Sequence, residues 1–305
     1  MKKRVSRLKI SVWVVVVSVT VVLIAATGVK MYVAKQKKAM TIAELINSGN
    51  QFSTEATLVA RVPEIGNYQV MQGGCVTEKY AWFVMLNSTD FPAYFTECYI
   101  FKYDTQTWEE ISRSESLSLE HSNDIAYVPD TNELYVIHSS SIDNKRVSIL
   151  DADTMEVKET VSLDTLGGYS IDYNAEKQNF VVGSSGESMI FFDQELNLLY
   201  VKMGKDVKLT PQGICVDNQY VYHVMYSHSS EPAECSNLIR VYDWDGNFVT
   251  QIPLNVPNSE AENVSLIGDT FYIGFNHYGM DGAEVYAVKL VKEPESEYDL
   301  GMEQR

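Results

Sequence analysis

Several motifs that identify enzymes are missing from this chain. It has no Gly-x-Ser-x-Gly nucleophile elbow, no His-Glu-x-x-His pair and no glycine-rich phosphate loop. These motifs supply the nucleophile of serine hydrolases, the zinc ligands of metalloproteases and the phosphate cradle of nucleotide-binding proteins. The sequence therefore gives no support to these three classes, and it leaves open whether the protein is an enzyme.

Acidic residues are missing from the first part of the chain, because none occurs before Glu44. All 41 acidic residues therefore lie in the remainder, which holds only 15 of the 24 basic residues and has a formal charge near −26. Such a surface repels nucleic acid and anionic lipid, so neither is expected as a partner. It suits cations and basic or neutral ligands, although the same acidity would also keep a surface protein soluble.

Charge of either sign is missing from residues 10–29, a run of twenty mostly apolar residues rich in Val. In a helix this run spans roughly 30 Å, the thickness of a bilayer core, so we predict one transmembrane helix. A basic tail, residues 1–9, precedes it and is expected in the cytoplasm. Ala26-Thr27-Gly28 offers a cleavage site, but the run exceeds a typical signal core, which favours an uncleaved anchor in the cell membrane. The C-terminal domain is then expected outside the cytoplasm.

Helical periodicity is missing from residues 52–291, which are rich in Val, Ile, Tyr and Phe in strand-length runs. This region is predicted to be one all-β domain. Residues 30–51 are interpreted as a stalk in which Thr41 and Glu44 form a capping box for a short helix ended by Asn47. Residues 292–305 form an acidic tail that is expected to fray.

Five segments of the β region begin alike, at Gln72, Asn123, Tyr169, Gln212 and Glu262. Their starts are 51, 46, 43 and 50 residues apart, a spacing typical of propeller blades. Each start is followed by two more apolar runs, and in four copies the third run ends in an Asp that can cap a hairpin turn.

The fifth repeat stops at its third strand, so a lone strand near residues 56–62 is predicted to complete it and close the ring. The sequence thus predicts a five-bladed β-propeller behind an N-terminal transmembrane helix. A sixth blade stays open if residues 50–70 hide another unit.

The second repeat carries a resemblance to known proteins. Asn-Asp-Ile-Ala-Tyr at 123–127, followed by Asp-Thr-Asn-Glu-Leu-Tyr-Val at 130–136, resembles the first hairpin of YVTN-like and NHL-like blades in exported β-propellers. The resemblance extends over roughly residues 52–291 and implies a propeller fold and an exported location. It concerns a repeat style, and propellers carry many functions, so it implies no particular one.

The four cysteines are placed alike in the first and fourth repeats. Cys75 and Cys215 lie in first strands, and Cys98 and Cys235 lie just before third strands. An oxidising exterior would favour two disulfides within blades, Cys75 to Cys98 and Cys215 to Cys235. First and third strands are about 9.6 Å apart, so these bonds require the intervening loops to fold inward. The alternative is four reduced core cysteines.

The first-strand starts are the main candidate site, because all five enter the central channel from one end. The polar side chains expected there are Gln72, His121, Asn123, Asp124, Tyr169, Gln212, Glu262 and Asn263. Convergent amides and carboxylates can bind a polar ligand or a hard cation such as Ca²⁺. The same groups could instead satisfy each other and the loop backbone.

Three functions fit these observations. The first is a surface module that binds or scaffolds a glycan, a peptide or a protein partner. The second is a glycan- or lactone-active hydrolase at the channel mouth; a lactonase would hold Ca²⁺ on Glu262, Asn123 and Asp124. Asp172 is a poor catalytic candidate because the other repeats have small residues at its position. The third, a structural interaction protein, predicts an exposed apolar patch instead of a polar funnel.

Overall fold

The computed structural model describes residues 40–49, 52–88, 96–139, 145–163, 167–204, 208–227 and 236–292. The predicted transmembrane helix at 10–29, the basic tail before it and residues 293–305 lie outside the described residues. Within the part that is described, no helix is long and apolar enough to span a bilayer. The anchor therefore stays a prediction from the sequence.

The described residues form one short helix and twenty strands. In chain order these are α1 (Ile42–Asn47), β1 (Phe52–Val62), β2 (Tyr68–Val76), β3 (Tyr80–Asn87), β4 (Cys98–Asp104), β5 (Glu110–Arg113), β6 (Asp124–Val128), β7 (Glu133–Ile137), β8 (Arg146–Asp151), β9 (Val157–Ser162), β10 (Ser170–Asn174), β11 (Asn179–Gly183), β12 (Met189–Asp193), β13 (Leu198–Lys202), β14 (Thr210–Val216), β15 (Tyr220–Ser227), β16 (Ser236–Asp243), β17 (Phe248–Leu254), β18 (Ser259–Ile267), β19 (Thr270–His277) and β20 (Ala283–Lys292).

The strands form five antiparallel sheets of four, which are the blades of a propeller. Blades 1 to 4 consist of β2–β5, β6–β9, β10–β13 and β14–β17, each in chain order from the channel outward. The first strands of successive blades contact one another around the ring, and β18 contacts β2 to complete it. The prediction of five blades with four strands each is confirmed for the described residues.

Blade 5 is built from both ends of the domain. Its sheet order is β1-β20-β19-β18, so the N-terminal strand β1 is the outermost strand. β1 pairs antiparallel with β20 from Phe52 opposite Lys292 to Val62 opposite Ala283. The predicted closing strand is confirmed, and it joins residues more than 220 positions apart in the sequence.

The hydrophobic core lies between blades. One buried cluster joins Trp82 and Ile100 of blade 1 to Leu134 and Leu150 of blade 2, and comparable clusters lie between other blades. Such packing explains why both faces of the inner strands are apolar, since each blade is sandwiched by its neighbours. Each blade therefore depends on the next for burial of its apolar surface.

The turns after the third strands follow the sequence prediction. In the first two blades, Asp104 and Asp151 each accept backbone N–H bonds through Oδ1, from Thr107 and Thr154 among others. Asp193 and Asp243 cap the corresponding turns of the next two blades through the N–H of the residue four positions on. A carboxylate that bonds its own turn favours the hairpin locally.

The short helix α1 also begins as the sequence predicts. Thr41 Oγ1 accepts the N–H of Glu44 at 3.2 Å, and Glu44 Oε2 accepts the N–H of Thr41 at 2.8 Å. This reciprocal pair is a capping box. The helix ends at Asn47, whose Oδ1 accepts a hydrogen bond from the Tyr220 hydroxyl.

The predicted disulfide between Cys75 and Cys98 is wrong, because both cysteines are free. Cys75 lies opposite Trp82 of β3, whereas Cys98 lies opposite Leu86. The two are therefore separated by two strand spacings across the sheet and by four residues along it. The first offset alone, about 9.6 Å, exceeds the roughly 7 Å that a disulfide permits between Cα atoms.

Of the second predicted pair, Cys215 and Cys235, only Cys215 lies among the described residues. Cys215 is free and buried, and its expected partner Cys235 lies outside the described residues. Burial raises the pKa of the Cys98 thiol to about 12 and that of Cys215 well above its usual value. The three described cysteines thus behave as small core residues.

Candidate functional site

A pocket of about 510 Å³ opens at the upper face, defined as the end of the channel where the first strands begin. Six of the eight predicted site residues line it, and together they come from all five blades. They are Gln72, His121, Asn123, Tyr169, Gln212 and Glu262. The convergence expected from the repeat starts is therefore present in the fold.

Two predicted site residues lie outside this lining and hold the ring together. Asp124, 1% exposed, accepts backbone N–H bonds from Ile125, from Ile171 of blade 3 and from Ile214 of blade 4. Burial raises the pKa of Asp124 well above its usual value. Its oxygens are engaged by backbone donors, which gives this carboxylate a structural function at the centre of three blades.

Asn263 has a comparable position between blades 5 and 1. Its Nδ2 donates to the backbone oxygen of Gln72 at 2.8 Å, and its Oδ1 accepts the N–H of Gly274. Both ends of the amide are thus bonded to backbone. Asn263 supports the strand that carries Gln72 and does not itself line the pocket.

Three pocket side chains are placed by β-bulges. The ladder register shifts between Met71 and Gly74, between Pro211 and Ile214, and between Ala261 and Asn263. Gln72, Gln212 and Glu262 are the residues that fall within these shifts. A bulge re-aims a side chain out of the regular alternation, and bulges are common beside functional sites.

Glycine follows the bulged glutamine in blades 1 and 4, where backbones approach closely. A Cβ on Gly73 would lie 2.6 Å from the backbone oxygen of Ser122, and one on Gly213 would lie 2.5 Å from Cα of Asn263. Neither position has room for a side chain. The Gln-Gly pair is therefore the sequence signal for both bulges, although the repeat comparison alone did not identify it as such.

Two neighbouring carboxyl groups, those of Glu260 and Glu262, belong to the pocket lining. Glu262 is 3% exposed, and its Oε1 accepts a hydrogen bond of 2.7 Å from Nδ2 of Asn276. Burial raises the pKa of Glu262 well above its usual value, and the neighbouring Glu260 raises it further. No Lys or Arg belongs to the described lining of the pocket.

Asn276 fixes the position of Glu262 and ties blade 5 to blade 1. Its Oδ1 accepts the N–H of Met71, and its Nδ2 donates both to the Met71 carbonyl and to Glu262. Because a carbonyl and a carboxylate only accept, the orientation of this amide is determined. Sequence comparison missed Asn276 and Glu260, since neither lies at a repeat start.

A second, smaller pocket of about 320 Å³ lies at the lower face, where the first strands end. Asp172 and Cys75 are among its lining residues. Asp172 Oδ2 accepts the N–H of Val216 at 2.8 Å, and burial raises the pKa of this carboxyl to about 7. Asp172 therefore bridges blades 3 and 4, in agreement with the sequence interpretation of a position packed between blades.

Metal coordination has limited support in the described part of the chain. No group of three His, Cys, Asp or Glu side chains there lies close enough together to hold an ion. Ca²⁺ prefers six to eight oxygen ligands, including amides. Of the residues predicted to hold it, Asn123 and Glu262 line the upper pocket and Asp124 does not. The Ca²⁺ site stays a prediction.

An apolar outer strand distinguishes blade 3. Leu198, Leu199, Tyr200 and Val201 of β13 are between 37% and 50% exposed. The outer strand of blade 2 by contrast contains Lys158 and Glu159. An apolar edge strand with unpaired backbone groups is the kind of surface expected of an interaction protein.

Comparison with known proteins identifies the fold. The glutaminyl cyclase of Myxococcus xanthus has a similar structure. Its TM-score is 0.51 at 11% sequence identity, and the match covers 80% of this chain and 99% of the cyclase chain. The hydrazine synthase of Kuenenia stuttgartiensis matches with a TM-score of 0.43 and 12% identity over 76% of this chain and 65% of its own.

Sequence comparison finds no relatives. No protein-family model matches the chain, and no curated protein matches it. At 11% identity the likeness to the cyclase shows a shared fold and nothing about activity.

Proposed function

We propose that this protein is a membrane-anchored, extracytoplasmic binding module whose upper pocket holds a polar group of a glycan, a peptide or a protein partner. The observation that carries the proposal is the convergence of polar side chains from all five blades on one pocket of about 510 Å³. A concave site with a few placed polar groups is the usual form of a ligand site.

The path of the chain supports this arrangement. β1 runs antiparallel to β20, whose first residue lies at the upper face, so β1 begins at the lower face. The domain's N-terminal strand therefore starts at the face opposite the pocket. The resemblance of the repeats to exported propellers agrees with a location outside the cytoplasm.

A bulky substitution at the pocket rim tests the proposal. Thr210 is exposed and lines the pocket, and Thr57 is exposed on the outer strand β1. Full-length protein in detergent is screened against arrayed glycans and peptides. We expect Thr210→Trp to weaken binding of any captured ligand at least tenfold because it fills the pocket, while Thr57→Trp leaves binding unchanged. Equal effects of both substitutions would place the ligand elsewhere and overturn the assignment.

A second candidate function is hydrolysis of a glycan or lactone at the same mouth. It is favoured by one observation: Glu262 is a carboxyl whose pKa is raised beside a second carboxylate, Glu260. Such a pair can divide into a proton donor and a base or nucleophile. Turnover of a sugar or lactone panel that Glu262→Gln abolishes, with binding retained, would establish the enzyme. Unchanged binding with no turnover in either protein would end that candidate.

A further inference from the structure

Three side-chain oxygens of residues that line the upper pocket accept no hydrogen bond from the described residues, and they indicate the chemistry of its ligand. Gln212 Nε2 donates to Glu260 at 2.8 Å, and Asn123 Nδ2 donates to the Tyr169 carbonyl at 2.8 Å. The Glu260 carboxylate and the Tyr169 carbonyl only accept hydrogen bonds, so the NH2 group of each amide must face its partner. The amide oxygen then points away from that partner. Among the described residues, neither Gln212 Oε1 nor Asn123 Oδ1 receives a donor.

Glu262 adds a third acceptor, which is charged when the carboxyl ionises. Only Oε1 is bonded, by Asn276, and no group in the described part of the chain donates to Oε2. The side chain is 97% removed from solvent yet lines the pocket. A buried carboxylate with one oxygen unmatched costs free energy that a cationic donor would recover.

Gln72 is a further unmatched group in the same lining. It is 7% exposed, and no hydrogen bond to its side-chain amide is present among the described residues. Its backbone is fixed by Asn263, so the amide is positioned by the fold. A buried amide of this kind is normally bonded, and here the pocket is where a partner would lie.

We propose that the pocket recognises a primary ammonium group, such as a peptide N-terminus or a lysine-like side chain, held by Glu262 Oε2 with the amide oxygens of Gln212 and Asn123. An ammonium has three donors and no acceptor, which matches three acceptors. The lining contains no Lys or Arg that would oppose the cation. This inference rests on the proposed function, because it names the ligand class of the same site.

The other titratable groups of the lining are His121, Tyr169 and Glu260. Burial lowers the pKa of His121, so this imidazole is neutral at pH 7 and adds no repulsion to a cation. Glu260 lies beside Glu262 and attracts the same charge. A proton on Glu262 would compete with the ammonium, so binding should tighten as the pH rises.

The test compares three probes on the full-length protein in detergent. They are n-propylammonium, n-propyltrimethylammonium, which has the same charge without N–H donors, and neutral 1-butanol. We expect n-propylammonium to bind at least tenfold more tightly than either of the others. The variant Glu262→Gln, which keeps an acceptor for Asn276, should weaken n-propylammonium binding at least tenfold. Asp172→Asn is the control, because it removes a carboxyl at the lower face.

A measurement on the unaltered protein keeps the test independent of folding of the variant. The carboxyl ¹³C resonance of Glu262 is followed against pH with and without n-propylammonium at ten times its Kd. Linkage requires the pKa of Glu262 to fall by about one unit if only the ionised form binds.

The outcomes separate the two proposals. Equal binding of all three probes in this pocket, unaffected by Glu262→Gln, would overturn the ammonium assignment and leave the binding module in place. If no amine, glycan or peptide perturbs the pocket resonances, both the assignment and the proposed function are overturned.

Discussion

Two buried aspartates connect neighbouring blades through backbone donors. Asp124 accepts N–H groups from blades 3 and 4 as well as from its own strand, and Asp172 accepts that of Val216. These contacts satisfy backbone N–H groups of the first strands, which line the channel and have no neighbouring strand on that side to pair with. At the residue scale, the carboxyls of the channel wall thus fall into two groups: ring supports such as these, and Glu262, which lines the pocket and whose Oε2 has no donor among the described residues.

The substitution Asp172→Asn should change how stability depends on pH. The folded-state pKa of Asp172 is about 7, above the unfolded value of roughly 3.9. Ionisation is therefore opposed by folding, and the contribution of Asp172 to stability is present below about pH 4 and is lost as pH rises towards 7. An amide oxygen can still accept the N–H of Val216, so the variant should gain up to about 4 kcal/mol on the wild type between pH 4 and pH 8. Urea unfolding at both values measures it.

A control with the opposite sign is available at an exposed turn. Bonds from Asn197 hold the pKa of Asp193 below its usual value, so its contribution is present above the unfolded pKa and lost as pH falls. At pH 8 the variant Asp193→Asn should therefore be less stable than the wild type. At pH 3 this difference between the two proteins should be smaller. A pH-independent offset for Asp172→Asn would contradict the expected ionisation.

At the scale of the element, β1 completes blade 5 and joins the two ends of the domain. It is the outermost strand of blade 5, and without it β20 would present a full unpaired edge. Its C-terminal residues Ala60 and Val62 are buried against blade 1 residues such as Met71 and Phe83. The strand therefore joins the two ends of the domain by both hydrogen bonds and packing.

A carboxylate introduced at a buried position and at an exposed position of β1 gives a matched comparison. Val62 is 1% exposed, whereas Thr57 of the same strand is exposed. Val62→Asp should lower the free energy of unfolding by about 3 kcal/mol or more, because it buries an unpaired carboxylate. Thr57→Asp should change it by about 0.5 kcal/mol or less. Denaturant unfolding of both variants gives the difference, and similar losses for the two would show that β1 does not close the core.

On the scale of the whole molecule, the propeller separates its two faces. The upper face holds the larger pocket with Glu262, and the lower face holds the smaller pocket with Asp172, where β1 also begins. Because the domain carries most of the acidic residues, we expect it to bind neither anionic lipid nor nucleic acid. The domain thus combines a polar upper face with a chain entry on the opposite side.

The proposed location is checked by protease access. In intact cells that express the full chain, protease added outside should remove the domain that follows residue 39, and a tag on residues 1–9 should stay protected. The same tag should remain with the membrane fraction if the anchor is uncleaved. Protection of the domain until the cells are lysed would contradict an outside location.

Much of the fold follows from the sequence because its determinants are local. The period of the repeat starts predicts the blades, the Asp that ends the third strand of four repeats predicts the turn, and the missing fourth strand of repeat five predicts closure by β1. Part of the candidate site follows as well, since repeat starts must meet at one end of a ring. Glu260 and Asn276 do not follow, because their place in the pocket depends on contacts between blades.

The sequence by itself determined the β-propeller and the residues that converge on the upper face, since these depend on strand periodicity and on spacing along the chain, whereas the sheet order excluded the sixth blade that residues 50–70 had left open. Only the tertiary structure decided which polar groups face the pocket and which support the ring. Asp124 and Asn263 are bonded to the backbone of their own and neighbouring blades, and bulges aim Gln72, Gln212 and Glu262 into the pocket. Strand register likewise decided whether the cysteines form disulfides. Equivalent positions in two repeats do not bring Cys75 within bonding distance of Cys98.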